Sequence, residues 1–380
     1  MTKDNKLSSL ASEYFRPILG LRNHNQSFLK WKVQKQLVLL SKGMDIFPLT
    51  FEVDLVNFCN HSCKWCLDKH HGNSTLSLEI VRSFTEEINH LNINGTRCQG
   101  ILFKGGGEPT LHPDFIQCVK YFSRTHCDLG IITNGSQLHR AEIRQILNKH
   151  VCYVRISLDA GTPNSHVLTH KSHDFDKIVY GSRKLVNERK TEIPSIGLTF
   201  IIEPAHLGEI KNILLISKEI SPDYIQLRMP YLQEVFYSSD YTTEQWENTY
   251  TEMKSCVNAE IGIPVYLSDY KPSPLCHSNA DVQIEKRMKF CRAHRLMGVL
   301  TGDSWILGCC EHRNLPEYRF GKLSYPEMPL KKIWESEQRQ RSLNHMDNAH
   351  CLANCTSPVS SYNDAILALG VDSPFCTSFI

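Results

Sequence analysis

The 380-residue sequence has no strong excess of charge: 42 Lys and Arg stand against 40 Asp and Glu, a formal net charge of +2. That balance gives no general reason to bind a nucleic-acid backbone or an anionic membrane surface. No run approaches roughly eighteen consecutive apolar residues, so no membrane-spanning helix is expected. The N-terminus holds Lys3, Asp4, Lys6, Glu13 and Arg16 without an apolar core, so no secretory signal is expected either. Internal repeats and low-complexity tracts are absent. The 20 Gly and 17 Pro are ordinary numbers, which excludes collagen-like and disordered classes. These absences together point to a cytoplasmic protein with no membrane or nucleic-acid partner.

Cysteine is the residue in excess, at 15. An odd total leaves at least one thiol outside any intramolecular bridge. A cysteine-rich cytoplasmic chain is expected to bind metal rather than to carry disulfides.

Strand and helix patterns alternate from residue 51 to about 230. Apolar or alternating runs at 51–58, 100–103, 129–133, 151–158, 196–202 and 224–227 read as strands. Amphipathic stretches at 78–91, 113–123, 138–148, 174–188 and 207–219 read as helices between them. Short connections between alternating elements imply a parallel sheet with right-handed crossovers. Six such units are too few for a closed eight-fold barrel. The expected fold is therefore α/β, a partial (β/α)6 TIM-like barrel over residues 51–235. Residues 1–50 read as a helical leader, with 28–40 able to dock on the barrel. Residues 236–285 lose the rhythm and read as a connector. Residues 286–380 read as a smaller C-terminal domain, with a helix at 330–343 between its cysteines.

Three motifs carry chemistry. Cys59, Cys63 and Cys66 form C-x3-C-x2-C directly after the first strand. Three thiolates in eight residues suit one face of an iron–sulfur cluster and leave one iron without a protein ligand. A zinc knuckle closed by His61 or His70 is the alternative. Lys104-Gly105-Gly106-Gly107-Glu108-Pro109 follows the second strand, where glycines give a ligand close access to backbone and a carboxylate can receive an ammonium. Functional groups of parallel barrels gather at the carboxyl ends of strands. Those ends read Cys59, Glu108, Asn134, Asp159, Glu203 and Arg228. The third motif is C-terminal: Cys291, Gly302, the adjacent Cys309 and Cys310, then Cys351 and Cys355 after the helix.

Through these residues the chain resembles the radical S-adenosylmethionine (SAM) enzymes. The resemblance implies a [4Fe–4S] cluster on Cys59, Cys63 and Cys66, with SAM chelating the open iron. It places Trp65 beside the adenine, Gly106, Gly107 and Glu108 around the methionine amino group, and Ser157 and Asp159 on the ribose and carboxylate side. Thr133, Asn134 and Gly135 match the usual end of the third strand. The Arg that often pairs with the SAM carboxylate after the fourth strand is missing, and Lys171 is the nearest substitute. The C-terminal spacing resembles the twitch form of the SPASM domain. It implies a second [4Fe–4S] cluster on Cys291, Cys309, Cys351 and Cys355, with Cys310 and Cys376 as alternates and a zinc site as the competing reading.

The reaction implied is reductive cleavage of SAM to a 5′-deoxyadenosyl radical, fed by an external donor such as flavodoxin or ferredoxin. That radical takes hydrogen from a C–H bond. The short leader favours a small polar substrate of carbohydrate or aminocyclitol type, oxidised by the enzyme. A peptide maturase or epimerase is the second reading, and a non-catalytic iron–sulfur or zinc binding protein the third. Cys256 and Cys276, in the connector, are candidate hydrogen donors. Cys98, Cys118, Cys127 and Cys152 read as small buried residues.

Overall fold

A computed structural model of the chain describes residues 35–36, 38–40, 42–66, 72–230, 241–257, 261–267 and 293–348. Six parallel strands come first: β1 (Thr50–Val53), β2 (Gly100–Phe103), β3 (Asp128–Thr133), β4 (Tyr153–Ser157), β5 (Ser195–Ile201) and β6 (Tyr224–Arg228). Each pairs in parallel with the next. The crossovers are α1 (Leu78–His90), α2 (Phe115–Phe122), α3 (Ala141–His150), α4 (Pro163–His170) followed by α5 (Phe175–Glu188), and α6 (Ile210–Ile220). In α1, Ser77 caps the N-terminus by accepting from the Ile80 amide, and Val81, Phe84 and Ile88 recur on the buried face.

Alternation along the strands separates two environments. Val154 and Ile156 of β4 join the large apolar core shared with the helices. Tyr153 instead joins a small separate cluster with Leu102 and Tyr224, where the two tyrosine hydroxyls hydrogen-bond at 3.0 Å. Two residues further along, on the same face, Arg155 donates to Gln226 at 3.3 Å. The inner face is thus apolar at the amino ends of the strands and polar toward the carboxyl ends.

Three expectations need correction. The stretch taken for an irregular connector continues the sheet: α7 (Thr243–Val257) leads to β7 (Val265–Leu267), which pairs in parallel with β6. Beyond it, β8 (Met297–Leu300) does not open a detached domain but pairs in parallel with β1. With β9 (Trp305–Leu307) and β10 (Arg319–Lys322), both antiparallel, it extends one sheet in the order β10-β9-β8-β1-β2-β3-β4-β5-β6-β7. The helix expected at 330–343 is two, α8 (Leu330–Trp334) and α9 (Glu337–Asn348). Ser336 sits between them; its hydroxyl donates to the Ile333 carbonyl and accepts from the Arg339 amide, ending one helix and starting the next.

The C-terminal part is anchored to the start of the barrel. The Trp334 indole donates to the Ile46 carbonyl at 3.1 Å and packs against Phe47, and Arg339 forks onto Asp45. Glu87 of α1 accepts the backbone N–H groups of Leu330 and Lys331 at the start of α8. Among the described residues no helix is long and apolar enough to cross a membrane. The leader expected over residues 1–50 lies mostly outside the described residues, as do Cys276, Cys291, Cys351, Cys355 and Cys376.

Candidate active site

The loop carrying Cys59, Cys63 and Cys66 lies across the carboxyl ends of the strands, and four consecutive strands each hold one part of it. After β2, the Glu108 amide donates to the Phe58 carbonyl at 2.9 Å. After β3, the Asn134 side chain donates to Asn60 at 3.0 Å and approaches the Cys59 sulfur at 3.7 Å. After β4, Asp159 meets His170 at 3.0 Å, and His170 meets His61 at 3.1 Å. After β5, Glu203 pairs with Lys64. The loop also joins α4, where the Ser62 and Lys64 amides donate to the carbonyls of His170 and Thr169.

The glycine motif owes its sequence to this crossing. A Cβ on Gly107 would stand 2.0 Å from the Phe58 carbonyl oxygen, so only glycine lets the two loops touch. On the other side, a Cβ on Gly302, in the turn after β8, would meet Asn57 Oδ1 at 2.6 Å. Asn57 accepts the Gly302 amide at 3.2 Å and so ties the C-terminal hairpin to the stretch leading into Cys59.

Glu108 is buried, and its oxygens accept from Thr110 (amide and hydroxyl), from the Thr133 hydroxyl at 2.6 Å and from the Asn134 amide at 2.7 Å. Burial still raises its carboxyl above the ordinary range, because these donors are neutral. Three of the bonds fall on Oε1 and one on Oε2, which keeps room for a further donor. A buried carboxylate surrounded by neutral donors is a good receiver for an ammonium.

Burial, then the Glu108 carboxylate, push the Cys59 thiol up to about 11. Burial, then Asp159, push Cys63 up as well. Thiols so placed stay protonated unless a cation replaces the proton. Cys66 acts electrostatically on both, and Cys59 on Cys63, as ligands of one group would. The His61 amide lies 3.4 Å from the Cys59 sulfur, the kind of donor that tunes a bound thiolate.

The remaining predicted residues fall out as follows. Trp65 stands half-buried on the rim, edge-on to His206. Ser157 and Arg228 lie at the carboxyl ends of β4 and β6. Both oxygens of Asp159 already have partners, the Ile201 amide at 2.7 Å and His170. Lys171 is exposed, and its backbone closes α4 in the left-handed conformation. Cys256 lies buried on α7, its thiol donating to the Glu252 carbonyl of the same helix, and no described contact brings it to the rim. Cys309 and Cys310 are buried where the chain leaves β9.

Two groups escaped the sequence reading. The first is a buried ion network. Arg313 donates to Asp54 at 2.8 and 3.2 Å and to Glu52 at 2.9 Å, and Lys104 pairs with Glu52 at 2.7 Å. The Cys310 carbonyl also accepts from Arg313. Its signal was the acidic pair Glu52 and Asp54, one inside β1 and one directly after it, in a stretch otherwise mostly apolar. The second is the set His61, His166 and His170. Its signal was His-x3-His on one helix face.

A profile described as Radical SAM superfamily matches residues 53–211. A protein named GTPase Obg from Brachyspira hyodysenteriae (strain ATCC 49526 / WA1) is 30% identical over 240 residues, 59% of this chain and 34% of that protein. Mycofactocin maturase MftC from Mycobacterium tuberculosis (strain CDC 1551 / Oshkosh) is 23% identical over 180 residues, 47% of this chain and 44% of that one. The chain therefore spans between a third and a half of these relatives' lengths. Among solved structures, Streptococcus suis SuiB bound to precursor peptide SuiA superposes with a TM-score of 0.59 at 14% identity, over 79% of this chain and 67% of that one. SuiB bound to S-adenosylmethionine superposes with 0.57, at 14% identity over 79% and 68%. SuiB shares the fold. Residues 53–211, with their cysteine loop and the Gly-Gly-Glu turn against it, thus match the radical SAM superfamily.

Proposed function

We propose that the protein cleaves S-adenosylmethionine reductively and uses the resulting radical to take a hydrogen atom from carbon. The observation that carries this reading is the convergence of β2, β3, β4 and β5 on the cysteine loop. The donor set suits a cluster: three half-buried thiols on one loop, within electrostatic reach of one another. Cys59, Cys63 and Cys66 would hold a [4Fe–4S] cluster, which would supply the single electron that cleaves the sulfonium of SAM to methionine and a 5′-deoxyadenosyl radical. The chain's own residues position and shield. Glu108 receives the methionine ammonium at Oε2, and Trp65 offers its face to the adenine. Ser157, Asn134 and Arg228 line the same rim, and Asp159 acts by holding His170 and β5 in place. Above the Tyr153–Tyr224 pair the inner face is polar, where Arg155 donates to Gln226.

A second [4Fe–4S] cluster on Cys291, Cys309, Cys351 and Cys355, with Cys310 and Cys376 as alternates, fits the same reading as an electron acceptor. The network around Arg313 is consistent with it, since it ties the Cys310 backbone to the barrel. An external flavodoxin or ferredoxin supplies electrons to the first cluster.

The substrate we favour is a peptide side chain or backbone position. Two similar proteins support it: one is named a maturase and the other was solved with a precursor peptide. The test incubates the iron-loaded, reduced protein and SAM in deuterated water with precursor peptides and, separately, with aminocyclitols and sugars. A peptide product two hydrogens lighter, at one SAM per turnover, is expected. Oxidised sugar with inert peptides would return the assignment to a small polar metabolite. A product about one mass unit heavier, with a single solvent deuterium on carbon, would make it an epimerase, with Cys256 or Cys276 as hydrogen donor.

A further inference from the structure

We propose that His61, His166 and His170 form a zinc site, distinct from both cysteine sets, that locks the cysteine loop onto α4. One ring nitrogen of each lies within 4.8 Å of the other two, and all three residues are buried. His166 and His170 are four apart on α4, hence on one face. His61 comes from the loop, between Cys59 and Cys63.

Counting protons brings out the site. His61 Nε2 faces Asp174 Oδ2 at 3.3 Å, and His170 Nε2 faces Asp159 Oδ2 at 3.0 Å. His166 Nδ1 faces the Ser172 carbonyl at 3.1 Å. Each of these oxygens accepts, so each takes the single N–H of a neutral ring. The other nitrogens are then lone pairs. Two of them, Nδ1 of His61 and Nδ1 of His170, face each other at 3.1 Å, which repels unless something positive lies between. A shared proton would satisfy that pair but not the third ring. His166 Nε2 is fully buried and has no hydrogen-bond partner. A buried polar atom without a partner calls for an explanation, and an ion ligated by all three rings supplies one.

The chemistry fits zinc. Imidazole nitrogens suit it, and ligands at 2.0–2.1 Å in tetrahedral array stand ~3.3 Å apart, close to the separation of the two Nδ1 atoms. Each ring's far nitrogen is held by a carboxylate or a carbonyl, the arrangement that orients metal-binding histidines. The inference needs neither SAM nor a particular substrate.

The experiment uses the full chain, loaded with iron and sulfide, then given equimolar Zn²⁺ and desalted. One zinc per chain should remain, and its X-ray absorption should show imidazole nitrogen and no sulfur in the first shell. His166→Gln should lose the zinc while keeping its iron. Asp174→Asn, at a partly exposed position, should weaken zinc binding ~10–100-fold with an unchanged circular-dichroism spectrum, even if the histidine variant fails to fold. A sulfur shell, no retained zinc, or equal zinc affinity in parent and Asp174→Asn would overturn the proposal.

Discussion

Replacing Arg313 by alanine removes the guanidinium that spans Asp54 and Glu52 under the glycine motif. Asp54 is 1% exposed and Glu52 4%, so water cannot take its place. In the parent Arg313 bridges Asp54 and Glu52 while Lys104 pairs with Glu52; the variant keeps the Lys104–Glu52 pair and loses the bridge. Breaking a buried pair on one side costs about 3–5 kcal/mol, because the surviving charge stays buried. That is about a fifth or more of a typical domain's stability of about 5–15 kcal/mol. Urea unfolding should show a loss of that size, and hydrogen exchange should rise over residues 297–313, which Arg313 pins to β1. Arg313→Lys should fall between, since it keeps the charge and loses the fork. The pH dependence has a definite sign. Burial raises the Glu52 carboxyl, but Lys104 and then Arg313 outweigh it and hold it below the ordinary range. Its contribution is complete above the unfolded value near ~4.3 and fades as pH falls through the lower folded value. Without Arg313 the folded value moves up toward the unfolded one, so the Glu52 contribution shrinks and its acid loss ends at higher pH. A change under about 1 kcal/mol in Arg313→Ala, with an unmoved acid limb, would refute this account of the network.

Glu108→Gln should weaken SAM binding by about 1.5–3 kcal/mol, the worth of a charged hydrogen bond, measured by calorimetry; unchanged affinity would show that Glu108 does not receive the ammonium. Gly107→Ala should force the loop away from Phe58 and lower iron retention on Cys59, Cys63 and Cys66, read by iron analysis with folding checked by circular dichroism. Anaerobic reconstitution should give about eight iron per chain, and roughly half that after Cys59, Cys63 and Cys66 are all replaced by alanine; stoichiometric zinc with almost no iron would sink both cluster assignments.

The strand ends were the most legible part of the molecule. Glu108, Asn134, Asp159 and Glu203 each stand where an apolar run stops, and each reaches the cysteine loop, Asp159 by way of His170. Local pattern was enough there, because a buried strand and its first polar residue are neighbours in sequence. Where the outcome depended on distant partners, the pattern was silent. The pairing of β8 with β1 joins residues about 250 apart, and nothing in Met297–Leu300 specifies that neighbour. The network around Arg313 likewise spans 259 residues between Arg313 and Asp54. Helix α4 was missed because Pro163–His170 is short and mostly polar, with little amphipathic contrast. Its capping box, Thr162 with Ser165, and its proline in the first turn were the signals available. The place of Asp159 on the rim was legible, but its partners, the Ile201 amide and His170, were not.

The most direct measurement is the formation of 5′-deoxyadenosine from SAM by anaerobic, iron-loaded, dithionite-reduced protein, quantified against the Cys66→Ala variant. The parent should form it together with an equal amount of methionine, and the variant should form none above the protein-free background. Equal formation in both, or none from a parent that holds about four or more iron per chain, would contradict the assignment of the cysteine loop as the site of SAM cleavage.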